Sequence, residues 1–241
     1  MNSVGVRWLL MLLLILFCGE PLLARNQSQR RKKFFNKRLL TDELADNEIA
    51  INYFAHSCVF LRHRKRLFVF DYYDSSSYPK DTFLGLCSLE AVADFDVYML
   101  CSHVHKDHWS PKLLDLPKRD GIHYAFSYDI PVGNTDHSYV SCEANKWHEI
   151  GDIRLFTPPA SDTGVAFFVN TSGLTIYHSG DNAFWDWKSE RVAKGYFKKW
   201  LQPLINLNQK IDVAFQVADP RCYESHYGGI HDISTFLKIG L

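Results

Sequence analysis

The fold of this chain is decided by one short segment, Ser102-His103-Val104-His105-Lys106-Asp107-His108. It follows the apolar run Val97–Cys101, which predicts a buried strand. Three imidazoles and a carboxylate lie within six residues, and these are N and O donors of the kind that zinc-class metals bind. In an extended chain the first two histidines project to the same side. A turn after Lys106 would then direct the Asp-His pair toward a second ion, whereas the alternative is a polar loop rich in histidine.

A second segment, Ile176-Tyr177-His178-Ser179-Gly180-Asp181-Asn182, carries another candidate ligand. The pattern predicts a strand that ends at His178 and a tight turn at Gly180, which presents Asp181 at the edge of a sheet. An isolated Gly-Asp pair is an ordinary turn. About 75 residues after the histidine cluster, however, this carboxylate is a candidate to bridge two cations.

The composition indicates a globular protein without a nucleic-acid surface. The 241 residues are 46% hydrophobic and 15% aromatic, enough to bury a core. Eight of the 27 basic residues and one of the 27 acidic residues lie in the first 40 positions, which leaves the rest with a net charge of −7. A mildly acidic body argues against binding nucleic acid, and the basic cluster Arg30–Arg38 is interpreted as a solvated linker.

The N-terminal segment is predicted to be a signal peptide or membrane anchor over residues 1–24. Arg7 precedes the apolar run Trp8–Cys18, whose 11 residues fall short of the roughly 20 that span a bilayer. The basic residues after it favour retention on the cytoplasmic side, which leaves an anchor as the alternative. A basic, then acidic linker over 25–47 and a domain over 48–241 would follow. We therefore expect a protein of the secretory pathway, secreted or membrane-anchored, with membrane association through this segment.

Short apolar runs alternate with turn signals along the rest of the chain. Strands are predicted at Ile49–Phe54, Cys58–Leu61, Leu67–Asp71, Val97–Cys101, Ile122–Phe126, Ser138–Cys142, Ile153–Thr157, Val165–Asn170, Leu174–His178 and Asp212–Val217. Helices are predicted at Thr41–Glu48, Leu89–Phe95, Pro111–Leu116, from Ser189 toward Leu201 with Pro203 ending or kinking it, and at Ile233–Ile239. Many strands followed by alternating strands and helices predict two β-sheets packed face to face with helices outside.

Together, SHVHKDH (102–108) and YHSGD (177–181) resemble the metallo-β-lactamase superfamily. NYFAHSCVFL (52–61) is similar to the branch that contains ascorbate-6-phosphate lactonase and the N-acylphosphatidylethanolamine-hydrolysing phospholipases. FVFDYY (68–73), SDTGVAFFV (161–169), GDNAFWDW (180–187) and VADPR (217–221) extend the match to roughly residues 50–240. The resemblance implies an α/β (α+β) fold, an αββα four-layer sandwich of two mixed β-sheets with outer helices.

The resemblance also implies roles for individual residues. His103 and His105 would bind the first metal, Asp107 and His108 the second, and Asp181 would bridge them. In such enzymes a metal-bound hydroxide attacks an ester, lactone, amide or phosphodiester, and Asp107 orients it and carries a proton. Two Zn²⁺ ions are expected, with other divalent metals as alternatives, and the substrate would be a small or lipid-like molecule.

This chain departs from the family pattern at two ligands. The third histidine of the first site falls on Ala160 in TPPASDTGVAF (157–167). Asp162 or Ser161 would be the substitute ligand, and the alternative for Asp162 is an ordinary turn aspartate. The last family histidine lies on a strand after the final helix, and the sequence stops at Leu241. The expectation is a C-terminally truncated domain with an incomplete second site and low activity. The alternative function is an impaired homologue acting as a binding protein or pseudoenzyme.

Two further residues are assigned around the site. By the resemblance, Asp71 lies beneath it as a partner of a ligand histidine, with a strand-end turn residue as the alternative. His56 is predicted to line the substrate pocket, with a turn or core histidine as the alternative. His178 is expected to have a structural role because strand alternation points it away from Asp181.

Overall fold

The computed structural model describes residues 38–73, 92–185, 190–219 and 238–239. Its first sheet follows chain order, with strands β1 (Ile49–Ala55), β2 (Cys58–His63), β3 (Arg66–Phe70), β4 (Asp96–Cys101), β5 (Ile122–Ser127) and β6 (Tyr139–Cys142). The β1–β2 and β2–β3 pairs are antiparallel, whereas β3 to β6 run parallel to their neighbours. This sheet is therefore mixed.

The second sheet has the order β12-β10-β9-β8-β7. Its strands are β7 (Lys146–Ile150), β8 (Ile153–Thr157), β9 (Phe167–Thr171), β10 (Leu174–His178) and β12 (Val213–Phe215). The β10–β12 pair is parallel and the others are antiparallel, including the predicted hairpin between β9 and β10. A short parallel pair joins β11 (Lys210–Ile211) to β13 (Lys238–Ile239).

The main core lies between the two sheets. Alternate residues of the first sheet face the second, so Phe68 and Phe70 pack with Phe167 and Val169 in one cluster. The alternate residues Leu67 and Val69 face the opposite side and belong to a second buried cluster. Both faces of this sheet are covered, which explains why its strands are nearly continuous apolar runs.

Helical segments form the outer layers. Helix α2 (Glu190–Leu207) buries Phe197, Leu201 and Leu204 against the outer face of the second sheet, and their spacing of four and three residues puts them on one helix face. On the first sheet, α1 (Arg38–Thr41) and the 3₁₀ helix Pro111–Asp115 contribute Leu39 and Leu113 to the outer cluster. The predicted sandwich of two mixed sheets between outer helices is confirmed.

The helix predicted from Thr41 to Glu48 is wrong. Thr41 ends α1 instead of beginning a helix. The Arg62 guanidinium donates hydrogen bonds to the carbonyl oxygens of Leu39 at 3.0 Å and Asp42 at 2.9 Å. A helix end leaves such carbonyl groups without partners, and Arg62 satisfies them here. The contact is made across 20 or more residues, so local sequence does not reveal it.

Of the two effects predicted for Pro203, an end or a kink, the end is excluded, because α2 continues through Pro203 to Leu207. A proline inside a helix costs about 3 kcal/mol through a lost hydrogen bond and a steric clash. Leu201 and Leu204, on either side of it, are buried at 1% and 3% exposure. Burial of each leucine contributes about 1.5–3 kcal/mol, which offsets that cost.

Other predicted elements differ in smaller ways. Predicted strands are found with ends shifted by about one or two residues, but the polar edge strand β7 was not predicted. Val92–Phe95 forms a turn instead of helix, and residues 89–91 lie outside the described residues. Residues 233–237 also lie outside the described residues. Lys238–Ile239 forms a strand, so the helix predicted at Ile233–Ile239 is wrong at its end. Residues 1–24 also lie outside the description, and in the part described no helix is long and apolar enough to cross a membrane.

Candidate metal centre

The candidate site forms where strands of the two sheets end side by side. β4 leads into the histidine segment and β10 leads into the turn that carries Asp181. The backbones approach closely, since Val165 N–H donates a hydrogen bond to Ser102 O at 2.9 Å. Two glycines permit this approach: an added Cβ would lie 2.1 Å from Ser102 O at Gly164 and 2.8 Å from Ser102 Cβ at Gly180.

One group of donors consists of His103, His105, Asp162 and Asp181. One ligand atom from each lies within 4.8 Å of all the others. His105 Nδ1 is 3.4 Å from Asp162 Oδ2, and His103 Nε2 is 3.8 Å from Asp181 Oδ2. His103 is fully buried, whereas the side chains of His105 and Asp162 are 51% and 44% exposed. The group therefore forms a pocket that opens to solvent on one side.

A second group consists of His56, Asp107 and His108, again with one ligand atom each within 4.8 Å. His56 Nε2 is 3.1 Å from Asp107 Oδ2 and 3.2 Å from His108 Nε2. Asp181 connects the groups, because its Oδ1 is 3.2 Å from His108 Nε2 while its Oδ2 faces His103. Its carboxylate therefore lies in a bridging position.

The buried ring of His103 provides an independent sign that the site suits a cation. Its Nε2 is buried and has no hydrogen-bond partner among the described residues. Leaving such an atom unsatisfied costs about 1–3 kcal/mol. A divalent cation beside Nε2 would satisfy it, and the mixed imidazole and carboxylate donors match a zinc-class metal. The residues present thus fit the metals that the resemblance implies.

Asp71 fixes the orientation of both buried ligand histidines. Its Oδ1 accepts from Ser102 N–H at 2.7 Å, and its Oδ2 accepts from Ser102 Oγ and His108 Nδ1, each at 2.8 Å. Ser102 Oγ donates its only hydrogen to Asp71, so it accepts from His103 Nδ1 at 2.9 Å. Both histidines therefore present Nε2 to the site.

The charges around Asp71 keep it ionised. Burial alone would raise the pKa of Asp71, but the neighbouring His108 outweighs this, and the pKa falls to about 2. Burial likewise lowers the pKa of His108, yet the carboxylates of Asp71 and Asp181 raise it to about 10. A bound cation has to displace that proton, so metal binding at His108 releases a proton and competes with acid.

His178 joins the end of β10 to the β1–β2 turn. Gly180 N–H donates to His178 Nδ1 at 3.2 Å, so the ring proton is on Nε2, which donates to Ser57 O at 2.8 Å. Burial lowers the pKa of His178 and favours this neutral form. The ring also stacks on Phe70 with centroids 4.7 Å apart. Its contacts are structural.

The structure brings together the candidate site residues that the sequence indicated, although they lie far apart in the chain. Those in the two donor groups are His103, His105, Asp107, His108, Asp162, Asp181 and His56, with Asp71 beneath them. Ala160, which stands where the family has a histidine, is buried and offers no donor. The role of Ser102 was missed, although its position directly before the first histidine was a signal. His231, which precedes the last predicted helix and suits a cap-region role better than that of the missing second-site histidine, lies outside the described residues.

Replacing Asp71 by asparagine is expected to weaken cation binding at His108 by about 10–100-fold, the usual effect of losing a partner behind a ligand. Asparagine suits the left-handed backbone of Asp71, whose φ is +48°, so the fold should survive. The measurement is a competitive Zn²⁺ titration, with the exposed Asp46→Asn as the matched control. Equal affinities of the two variants would show that Asp71 does not support the ligand.

No family model and no curated protein matches the chain. Among solved structures, it is similar to a proposed metal-dependent hydrolase from Parabacteroides distasonis ATCC 8503, with 16% identity, coverage of 69% of this chain and 68% of that one, and a TM-score of 0.46. It is also similar to Igni18, a metallo hydrolase from Ignicoccus hospitalis KIN4/I (14% identity, 79% and 93% coverage, TM-score 0.45).

A third similar structure is a metallo-β-lactamase from Staphylococcus aureus subsp. aureus COL, with 13% identity and a TM-score of 0.45. The match covers 70% of this chain and 55% of that protein, so it spans about half of the relative's length. The superfamily that the motifs indicate is thus found among the similar structures, and the lactonase and phospholipase branch is not distinguished. At these identities and TM-scores the similarity assigns no function to this chain.

Proposed function

We propose that this protein is a hydrolase that uses two divalent cations, Zn²⁺ foremost, to cleave an ester, lactone, amide or phosphodiester. The observation that carries the proposal is the position of Asp181. Its two oxygens lie 3.2 Å from His108 Nε2 and 3.8 Å from His103 Nε2, so one carboxylate serves both donor groups. A carboxylate with a purely structural role would not be expected to contact both groups of candidate ligands.

In the proposed mechanism, one cation would be held by His103, His105, Asp162 and Asp181, and the other by Asp107, His108 and Asp181. Bound cations of this kind lower the pKa of water, polarise the electrophile and stabilise the leaving oxygen. The side chain of Asp107 is 55% exposed, so it can reach both a water molecule and a cation. Its carboxylate orients the attacking water and takes up its proton. Asp71 and Ser102 hold the two buried imidazoles still during this step.

The substrate is proposed to be a small or lipid-like molecule. It would enter on the side where His105 and Asp162 are exposed. The net charge of −7 beyond residue 40 supports a substrate other than nucleic acid. Residues 1–24, with their interrupted apolar run, support entry into the secretory pathway, with the protein secreted or membrane-anchored. An impaired, binding-only homologue is the competing proposal, and Ala160 is the observation in its favour.

The test removes the metal with a chelator and restores Zn²⁺, Mn²⁺ or Fe²⁺ separately to the full chain. Each form is assayed on ester, lactone, amide and phosphodiester substrates. At least one class should be hydrolysed on the order of 10³-fold faster with metal, since the cations supply several kcal/mol to the transition state. His105→Ala should lose this rate, and His123→Ala, a histidine outside both donor groups, should keep it. Metal binding without hydrolysis of any class would favour the binding protein.

A further inference from the structure

We propose that His56 is a direct ligand of the cation held by Asp107 and His108. This rests on the proposed two-metal function and names a donor that neither the superfamily motif nor the resemblance supplies. The β1–β2 turn thereby completes the second site. His56 was expected only to line the pocket, or to be a turn residue.

The distances around His56 Nε2 carry the inference. The atom lies 3.1 Å from Asp107 Oδ2 and 3.2 Å from His108 Nε2. His108 has its Nδ1 proton directed at Asp71, so Nε2 faces the same point and is the atom that a cation would bind. Three potential ligand atoms therefore converge. Asp181 Oδ1 lies 3.2 Å from one of them, His108 Nε2, and would be the fourth donor. Four donors are the number that a tetrahedral zinc site requires.

The backbone at His56 is held in an unfavourable conformation. Its φ is +50°, in the left-handed region that residues other than glycine rarely adopt. The two-residue turn between Ala55 and Cys58, which pair with each other, accounts for this backbone, because such turns commonly require a positive φ. The turn is also held in place, since Ser57 O accepts a hydrogen bond from His178 Nε2 at 2.8 Å. His178 ends the same strand that leads to Asp181, so one buried imidazole links the turn bearing His56 to the bridging carboxylate.

The simpler account is a surface hydrogen bond in which His56 Nε2–H is shared between Asp107 and His108. An exposed ion pair of this kind contributes little to stability. It gives no reason for histidine at position 56, where asparagine or glycine would adopt the left-handed backbone of the turn more readily. A cation in the position of the shared proton would be bound by all three atoms, His56 Nε2, Asp107 Oδ2 and His108 Nε2. The two accounts differ in what a replacement of His56 does to metal binding.

This assignment also changes the expectation about the second site. The resemblance implies a second-site histidine on a strand after the last helix. His56, in the β1–β2 turn near the start of the domain, would take its place. With His56 and the shared Asp181 counted, the second site would have four protein donors, as many as the first, in which Asp162 would take the place of the family histidine.

The experiment titrates Zn²⁺ and Co²⁺ into metal-free full-length wild type, His56→Gly and His56→Asn, and measures stoichiometry, affinity and the Co²⁺ absorption spectrum. We expect two cations in the wild type. In both variants one cation should bind at least about 100-fold more weakly, because a direct ligand outweighs the 10–100-fold effect of an outer partner. The thermal midpoint of metal-free His56→Gly should not fall, since glycine accepts the left-handed backbone.

Arg64→Gly is the matched control. Arg64 also has a left-handed backbone, with φ at +54°, and lies in the β2–β3 turn away from the donor groups. It should keep both cations at wild-type affinity. Two cations bound to His56→Gly and His56→Asn as tightly as to wild type would overturn the assignment of His56 while leaving the proposed function intact. A wild type that binds no cation would overturn the proposed function itself.

Discussion

Replacing Asp181 by asparagine is expected to remove hydrolysis and to reduce cation binding at both donor groups at once. The carboxylate places one oxygen toward His108 Nε2 and the other toward His103 Nε2. An asparagine keeps a single oxygen and no charge, so it cannot bridge two cations. Turnover should fall by at least about 10³-fold, more than the 10–100-fold that follows loss of an outer partner.

The measurement combines steady-state turnover with metal content by elemental analysis. Asp136→Asn, an exposed aspartate, is the control and should match the wild type in both. Loss of one cation with the other held at full affinity would place Asp181 in a single site. In that case Asp181 would be a ligand, but the bridging geometry would be incorrect.

The second large effect is expected for Gly164→Ala. Gly164 has φ at +67°, and an added Cβ would lie 2.1 Å from Ser102 O and 2.6 Å from His103 Cβ. The obstructing atoms are backbone and a buried ligand, which cannot move aside as the end of a flexible side chain can. Overpacking typically costs about 1–3 kcal/mol and a left-handed alanine about 1–2 more, so the loss should be about 2–5 kcal/mol.

Chemical denaturation monitored by Trp fluorescence measures this loss. Gly133→Ala is the matched control, because nothing lies within 4 Å of its added Cβ and its φ is not in the left-handed region. The control should remain within about 0.5–1 kcal/mol of the wild type. A Gly164→Ala protein as stable as the control would mean that the segments of Ser102 and Gly164 are not packed together. The described arrangement of the site, which depends on this packing, would then be incorrect.

Local patterns were sufficient to predict the sheets and most donors of the site. Val97–Cys101 indicated a buried strand, and the strand does end directly at the histidine segment. Asp181 was identified because its turn follows a strand and lies about 75 residues after the histidine cluster. The edge strand β7 was not identified because its sequence, KWHEI, has only one buried residue and no apolar run.

Long-range contacts account for what the sequence left open. His56 and His108 are separated by 52 positions, and no local rule relates a turn after β1 to a loop after β4. The course of the chain after Thr41 depends on Arg62, and the continuation of α2 through Pro203 depends on a sheet that covers its neighbours. Each depends on tertiary packing, which overrides local propensity.

The most direct test of the two-cation centre is the metal content of the purified full-length chain, measured by elemental analysis after dialysis against metal-free buffer and titration with Zn²⁺. The geometry of the two donor groups joined by Asp181 predicts two tightly bound cations per chain. A chain that is folded by circular dichroism and binds no cation would contradict it.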